Sequence, residues 1–429
     1  MTDAIYTLQL PRIASAAVIA VGSELLTPFR SDTNSLAITA RLAAIGVRVR
    51  AKAVAGDSID EIAQAIRDAA PRVDLILLSG GLGPTADDLT REAIAAFADV
   101  PLREDASITA WLEARFAARG IAMPAINRRQ AMVPVGAQPL PNPHGSAPGL
   151  LLERSDVTVA ALPGPPRELM PMLDALVADR LAKRAAGTPL TTRVLKVTGR
   201  GESAVDEIAA PIYLPFEKAE PPIQTTVLAS PGLVELHLQC PAADGDAAAR
   251  ALDLLAGRLE AALIPACFTT RGESLEGIVG ALLTDRGLWI AVAESCTAGM
   301  VAARLTDIAG SSAYVRGGVV AYDNDIKTSL LDVPPAMLAE HGAVSEPVAR
   351  AMADGARARL SAGIGVAVTG IAGPSGGTAT KPVGTVVVAA TGLGRARVHT
   401  FQFIGDRALV RAQSVQAALD AVRRLLLDL

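Results

Sequence analysis

AVAESCTAGMVAARLTDIAGSSAYVRGGVVAYDNDIK, residues 291–327, alternates strand, turn and helix in a way that points to an α/β architecture. An apolar strand over 288–293 gives way to Glu294, Ser295, Cys296 and Thr297. A helix then opens at Ala298-Gly299, with Met300, Val301, Leu305 and Ile308 at helical spacing. A strand that turns into a helix is the unit of an open α/β sheet, and such sheets bind ligands at the carboxyl ends of their strands. A hydroxyl on that turn sits beside the unpaired N–H groups of the helix. This arrangement suits a serine nucleophile with its oxyanion site, and it equally suits a Ser or Thr that only caps the helix.

The following residues bear on that choice. Gly310-Ser311-Ser312 forms a second hydroxyl turn, and a strand over 317–321 leads into Tyr322-Asp323-Asn324-Asp325-Ile326-Lys327. The four histidines, His144, His237, His341 and His399, lie outside this stretch, which argues against a Ser-His-Asp triad. A lysine whose pKa is lowered by burial, Lys327, or Tyr322 relaying to it, is the available base. Cys296 has no basic neighbour in sequence and reads as a buried free thiol.

The chain has 429 residues, enough for two to four domains; half are hydrophobic, much of that alanine, and 3% are aromatic. This favours helix-rich α/β packing. A formal net charge of -4 gives no electrostatic reason to expect nucleic acid or an anionic membrane as partner. Three scattered cysteines without CxxC spacing fit a reducing cytoplasm. Asp3 and the lack of a basic leading region speak against a secretion signal, and residues 13–22 are too short to span a bilayer.

Near the N-terminus, a strand over 16–21 ends at Gly22-Ser23-Glu24, and Ser31-Asp32-Thr33-Asn34-Ser35 caps a helix that Gly46 closes. A short apolar strand over 74–78 delivers SGGLGPTADDLT, residues 79–90. Gly80, Gly81 and Gly83 at a strand end allow backbone amides, with Thr85, to approach a phosphate. Asp87 and Asp88, with Glu24 on a neighbouring strand end, suggest a divalent cation; the pair serves as well for a helix N-cap. Residues 171–265 alternate helix and strand as a small α+β unit with a Gly199-Arg200-Gly201-Glu202-Ser203 turn. In the last third, a glycine-rich loop over 370–378 with Gly373 and Gly376 follows a strand, and Gly405-Asp406-Arg407 precedes the final helix.

Taken together, ESCTAG, DIAGSSAY, AYDNDIK, HGAVSEPVA, VTGIAGPSGGTATKPVGTV and GDRALVR resemble the CinA C-terminal domain, the family that includes nicotinamide mononucleotide amidohydrolases. GSELL, SDTNS and GGLGPTADDLTREA resemble the MoaB/MogA-like molybdopterin-binding fold as it occurs at the CinA N-terminus. The resemblance implies two three-layer α/β domains, over 1–170 and 266–429, joined by a small KH-like α+β unit over 171–265. No basic GXXG clamp is evident in that unit, so no RNA is expected. The resemblance implies hydrolysis of the carboxamide of nicotinamide mononucleotide (NMN) by Ser295, Tyr322 and Lys327, with no metal. Ser312, Thr297, Gly373, Gly376 and Arg407 would bind or orient the substrate. A second, metal-dependent ADP-ribose pyrophosphatase site is implied in the N-terminal domain, and a homodimer for the whole. The alternatives are a nucleotide-binding regulator tied to competence or DNA damage, and a pterin-binding protein. Three positions depart from the family pattern: Ala298 replaces a glycine, Asp323 a serine and Ser375 an aspartate.

Overall fold

The computed structural model describes residues 11–429; Asp3, on which the argument against a leader rests, lies outside them. The chain forms two compact units. One ends at Thr191 and takes in Pro241–Gly245; the other holds Thr192–Cys240 and Asp246–Leu429.

The first unit contains β1 (Ser15–Val21), β2 (Arg48–Ala55), β3 (Leu75–Ser79), β4 (Leu102–Glu104), β5 (Met132–Pro134), β6 (Ala137–Leu140), β7 (Gly149–Glu153) and β8 (Thr158–Leu162). Its main sheet has the order β2-β1-β3-β8-β7-β6, while β4 and β5 pair separately. β2, β1, β3 and β8 run parallel, and β7 and β6 add on antiparallel. Every residue of β1, β3 and β8 is buried, as a sheet covered on both faces requires. Alternation along β1 divides the core. Ala16 and Val18 face Ile38, Leu42, Leu169 and Leu173 of the helices Asn34–Ala44 and Pro166–Leu176. Ala17, Ile19 and Val21 face Ile62, Ile66, Ile94 and Leu112 of the helices on the other side.

The second unit begins with β9 (Leu190–Thr198), β10 (Gln224–Ser230), β11 (Leu233–Pro241) and β12 (Cys267–Thr269), in the order β10-β11-β9-β12. It continues with β13 (Ile290–Glu294), β14 (Val315–Val320), β15 (Ile364–Gly370), β16 (Thr385–Gly392) and β17 (Arg395–Gln402), in the order β14-β13-β15-β16-β17. Val292 packs toward Leu283, Leu419 and Leu425 of the helices Leu275–Asp285 and Arg407–Leu427. Ala291 and Ala293 pack toward Val348, Met352 and Ala356 of Glu346–Arg359. Both large sheets are thus three-layer α/β, as the sequence predicts.

Two differences from the sequence reading have physical causes. Residues 171–191 are not part of a separate middle unit, because Leu173, Leu176 and Leu181 complete the core of the first unit. β17, which the sequence reading does not single out, has RARVHTFQ mostly exposed at the sheet edge and offers no apolar run to read.

Candidate functional sites

β13, β14 and β15 are parallel, and β17 points the same way after two antiparallel steps. Their carboxyl ends therefore share one edge. The Ser295 turn, Tyr322–Lys327, the loop over 371–384 and Arg407 all emerge there.

Ser295 follows β13 directly. Its amide donates to the Val368 carbonyl at 2.9 Å, which fixes the backbone, while its hydroxyl has no hydrogen-bond partner among the described residues. Ala298 and Gly299 then take left-handed conformations, with φ of 50° and 97°. Alanine accepts that conformation at a cost of roughly 1 kcal/mol, which a glycine would avoid. The helix begins at Met300, and its first amides are not free. Glu294, 1% exposed, accepts from Gly299 N at 3.0 Å, Val301 N at 3.1 Å and Ala302 N at 3.0 Å. The expected pool of helix amides is thereby reduced. The amides of Cys296 and Thr297 are the ones left without a protein acceptor among the described residues. The capping role of Glu294 was missed in sequence. Its signal was a carboxylate six residues before an apolar helix with no capping side chain of its own.

Lys327 is 1% exposed and donates from Nζ to the carbonyls of Ala321 at 3.0 Å and Tyr322 at 3.3 Å. Ala321 N in turn donates to the Glu294 carbonyl at 2.8 Å, so the lysine is anchored to the segment beside the Ser295 turn. Burial pushes the Lys327 ammonium below its ordinary pKa, against the opposing pull of Asp323 and Cys296. Burial also pushes the Cys296 thiol up to about 11, so it is no thiolate nucleophile at neutral pH. Tyr322 is exposed; its hydroxyl accepts from Arg407 Nη2 at 3.1 Å, and Arg407 Nη1 donates to the Gly373 carbonyl at 2.9 Å. No hydrogen bond directly joins Ser295, Tyr322 and Lys327 among the described residues.

Several expectations need correction. Ser312 lies just before β14, whose Val315 pairs with Ile290 at the start of β13. It stands at the opposite edge of the sheet, on the order of 15 Å along the strands from Ser295, and cannot orient it within this chain. Thr297 is fully buried with an unpaired hydroxyl, and its carbonyl is held by Arg411 Nη2 at 3.0 Å. The loop with Gly373 and Gly376 joins antiparallel β15 and β16, so no helix follows it. It presents loop amides alone to a ligand.

In the first unit, a cavity of about 590 Å³ lies at the carboxyl ends of β1, β3 and β8. Asn34 ties its walls together, donating to Ser79 Oγ and the Gly164 carbonyl at 2.8 Å each. Gly80 and Gly81 have φ of 111° and 67°, and a Cβ on either would overlap the Val21 carbonyl or the Thr90 hydroxyl. Their role is close backbone packing. The amide of Gly80 is already given to the Leu162 carbonyl, and those of Gly83 and Thr85 go to Asp88 at 2.7 and 2.9 Å. Of the four expected phosphate donors, Gly81 alone has an amide without an acceptor among the described residues; the Leu82 amide beside it has none there either. Arg91, 1% exposed, holds the loop from beneath through the Leu82 and Gly83 carbonyls, and Arg129 holds it from outside through Thr85 and Asp88.

Asp88 also takes the Thr85 hydroxyl. Both of its oxygens thus accept from its own loop, which gives the carboxylate a part in holding that loop. Asp87 is exposed, and among the described residues no three carboxylate, imidazole or thiolate groups converge on one metal position. Glu24, Asp87 and Asp88 do not converge as such a group in this conformation. Asp88→Ala is expected to cost about 2 kcal/mol and to loosen this loop, since Gly83 N and Thr85 N lose a charged acceptor. Urea denaturation and faster amide exchange over 81–89 would register it; unchanged exchange would contradict the assigned role.

An α/β protein with ligand-competent strand ends on two separate sheets is the class these features define. The chain belongs to the CinA-like family. A CinA C-terminal domain pattern matches residues 272–426, and a probable molybdopterin binding domain pattern matches 17–183. The chain is 47% identical over 416 residues to a CinA-like protein of Koribacter versatilis, spanning 96% of this chain and 100% of that protein. It is 43% identical over 412 residues to a putative competence-damage inducible protein of Desulforudis audaxviator, spanning 96% and 98%. Among solved structures, the competence/damage inducible protein CihA of Agrobacterium tumefaciens is 40% identical. That match covers 37% of this chain and 99% of that one, with a TM-score of 0.35.

Proposed function

We propose that the second unit hydrolyses the carboxamide of NMN to nicotinate mononucleotide and ammonia. The observation that carries this reading is a serine hydroxyl at a strand end with no bond among the described residues, beside the unclaimed Cys296 amide and a buried lysine of lowered pKa at the same sheet edge. The substrate is taken from the family resemblance. Ser295 Oγ attacks the carboxamide carbon, and its proton passes to Lys327 with Tyr322 as relay. The amide of Cys296, which has no protein acceptor among the described residues, holds the oxyanion. Collapse of the tetrahedral adduct breaks the C–N bond, and the proton leaves with ammonia. Water then attacks the acyl-enzyme, releases the carboxylate and returns a proton to Ser295. Arg407, with the loop around Gly373 and Gly376, receives the substrate phosphate.

For the first unit, we propose hydrolysis of the pyrophosphate of ADP-ribose in the 590 Å³ cavity. Glu24, Asp32, Asp57 and Glu168 among its lining residues make it acidic. A nucleotide that arrives already complexed with a divalent cation suits it better than a bare anion. That cation would neutralise charge on the pyrophosphate; this chain's part is the free amides of Gly81 and Leu82. Both activities belong to pyridine-nucleotide recycling in the cytoplasm, by a homodimer.

The test is ammonia release from NMN by the purified chain with EDTA present, wild type beside Ser295→Ala. Release by the wild type and its loss by at least 10³-fold in the variant is the expected result. Folded wild type that releases none, yet binds NMN, would favour a nucleotide-binding regulator.

A further inference from the structure

We propose a third ligand site, in the second unit, that binds a molecule joining a flat aromatic ring to an anionic group, of the class of a nucleoside monophosphate. A cavity of about 580 Å³ lies between the loop after β9, the β10–β11 turn, β17 and the helix Arg407–Leu427. That volume falls within the roughly 300–1,000 Å³ of small-molecule sites.

One wall is aromatic. Phe401 and Phe403 stack with ring centroids 5.2 Å apart and planes 9° from parallel, and His399 meets Phe401 edge-on at 6.2 Å. A half-buried aromatic ledge on a strand is the surface on which a heterocyclic base stacks.

The charges around that ledge favour an anion. Arg200 and Arg397 both line the cavity, and neither has a hydrogen-bond or ion-pair partner among the described residues. Arg424 also lines it but is committed to Asp420 at 2.7 Å. Asp420 is further held by Arg423, so its charge is already met inside the protein. Glu202 is the other acid in the lining, which leaves two unpaired guanidinium groups against one carboxylate. Such groups match phosphate or carboxylate in a bidentate fork.

The site is also preformed. Arg304 holds the side chain of Gln416 at 2.9 Å, fixing the helix wall. The helix Glu202–Tyr213 opens at Gly201 with no side-chain cap, so its first amides reach the same region unclaimed. The Gly199–Ser203 turn, for which neither proposed activity has a use, finds its place here.

The test uses the full chain and adenosine 5′-monophosphate, with adenosine and inorganic phosphate as separate probes. Hydrogen exchange locates the binding, and calorimetry measures it in wild type and in the Arg200→Ala/Arg397→Ala double variant. Expected are slowed exchange over 198–203 and 397–403, a loss of affinity of at least 10-fold in the double variant, and weaker binding of either half-molecule. Both arginines are unpaired, so the melting temperature should stay within a degree or so of wild type. Protection confined to 79–88 or 295–299, undiminished affinity in the double variant, phosphate binding as tightly as the nucleotide, or no binding would each overturn the proposal.

Discussion

Lys327→Met is expected to reduce ammonia release from NMN by about 10³-fold while leaving the protein folded. General-base assistance is worth roughly 10²–10⁴ in rate, and among the described residues Lys327 is the one buried amine at the edge where Ser295 emerges. The same variant tests the lysine's protonation through stability. The pKa of Lys327 is lowered on folding, chiefly by burial. Between that lowered value and the unfolded value of about 10.4, the unfolded chain holds more protons than the folded one. Stability contributed by this group therefore rises with pH through that window and is flat below it. Lys327→Met lacks the increment. Urea titrations of both proteins from pH 7 to 10 should show the wild type gaining on the variant as pH increases. Parallel curves would mean that Lys327 stays charged throughout, and the proton acceptor would have to be sought elsewhere.

How much of this was legible in the sequence follows from which interactions are local. Strands buried on both faces, such as β3 and β13, announce themselves as apolar runs, and a hydroxyl turn after such a run marks the sheet edge. That reasoning places Ser295, Tyr322 and Lys327 on neighbouring segments. The partners of individual amides were not legible, because they are chosen in three dimensions. Asp88 reads as a free carboxylate beside Asp87, yet it folds back on Gly83 and Thr85 within its own loop. Ser312 reads as a neighbour of the active turn because few residues separate them. The parallel crossover from β13 to β14 carries the chain back to the opposite edge, and proximity in sequence becomes separation in space. The cavity beside β17 was hidden for a related reason. Its walls come from residues some 200 apart, and one of them is a strand whose exposed, charged pattern resembles a loop.

Glu294→Ala is expected to be the most destabilising single change in the second unit, by about 3–5 kcal/mol. The carboxylate accepts three amides from the start of the helix Met300–Thr306 while itself almost fully buried. A hydrogen bond to a charged group is worth roughly 1.5–3 kcal/mol, and an amide left buried without an acceptor costs a comparable amount. Water reaching Gly299 and Ala302, which are only half-buried, offsets part of the sum. Glu294→Gln keeps an acceptor oxygen at reduced strength and should lose about half as much. The kinetic consequence separates a cap from a mere buried charge. Ser295 is tied to Val368 on one side and depends on the Glu294-held helix on the other. In Glu294→Gln, a chain still folded at 25 °C, kcat for ammonia release should fall at least 10-fold with KM little changed, because the Cys296 amide loses its fixed aim at the oxyanion. A Gln variant with lowered stability but wild-type kcat would confine Glu294 to holding the helix, and would place the positioning of Ser295 in the Val368 contact alone.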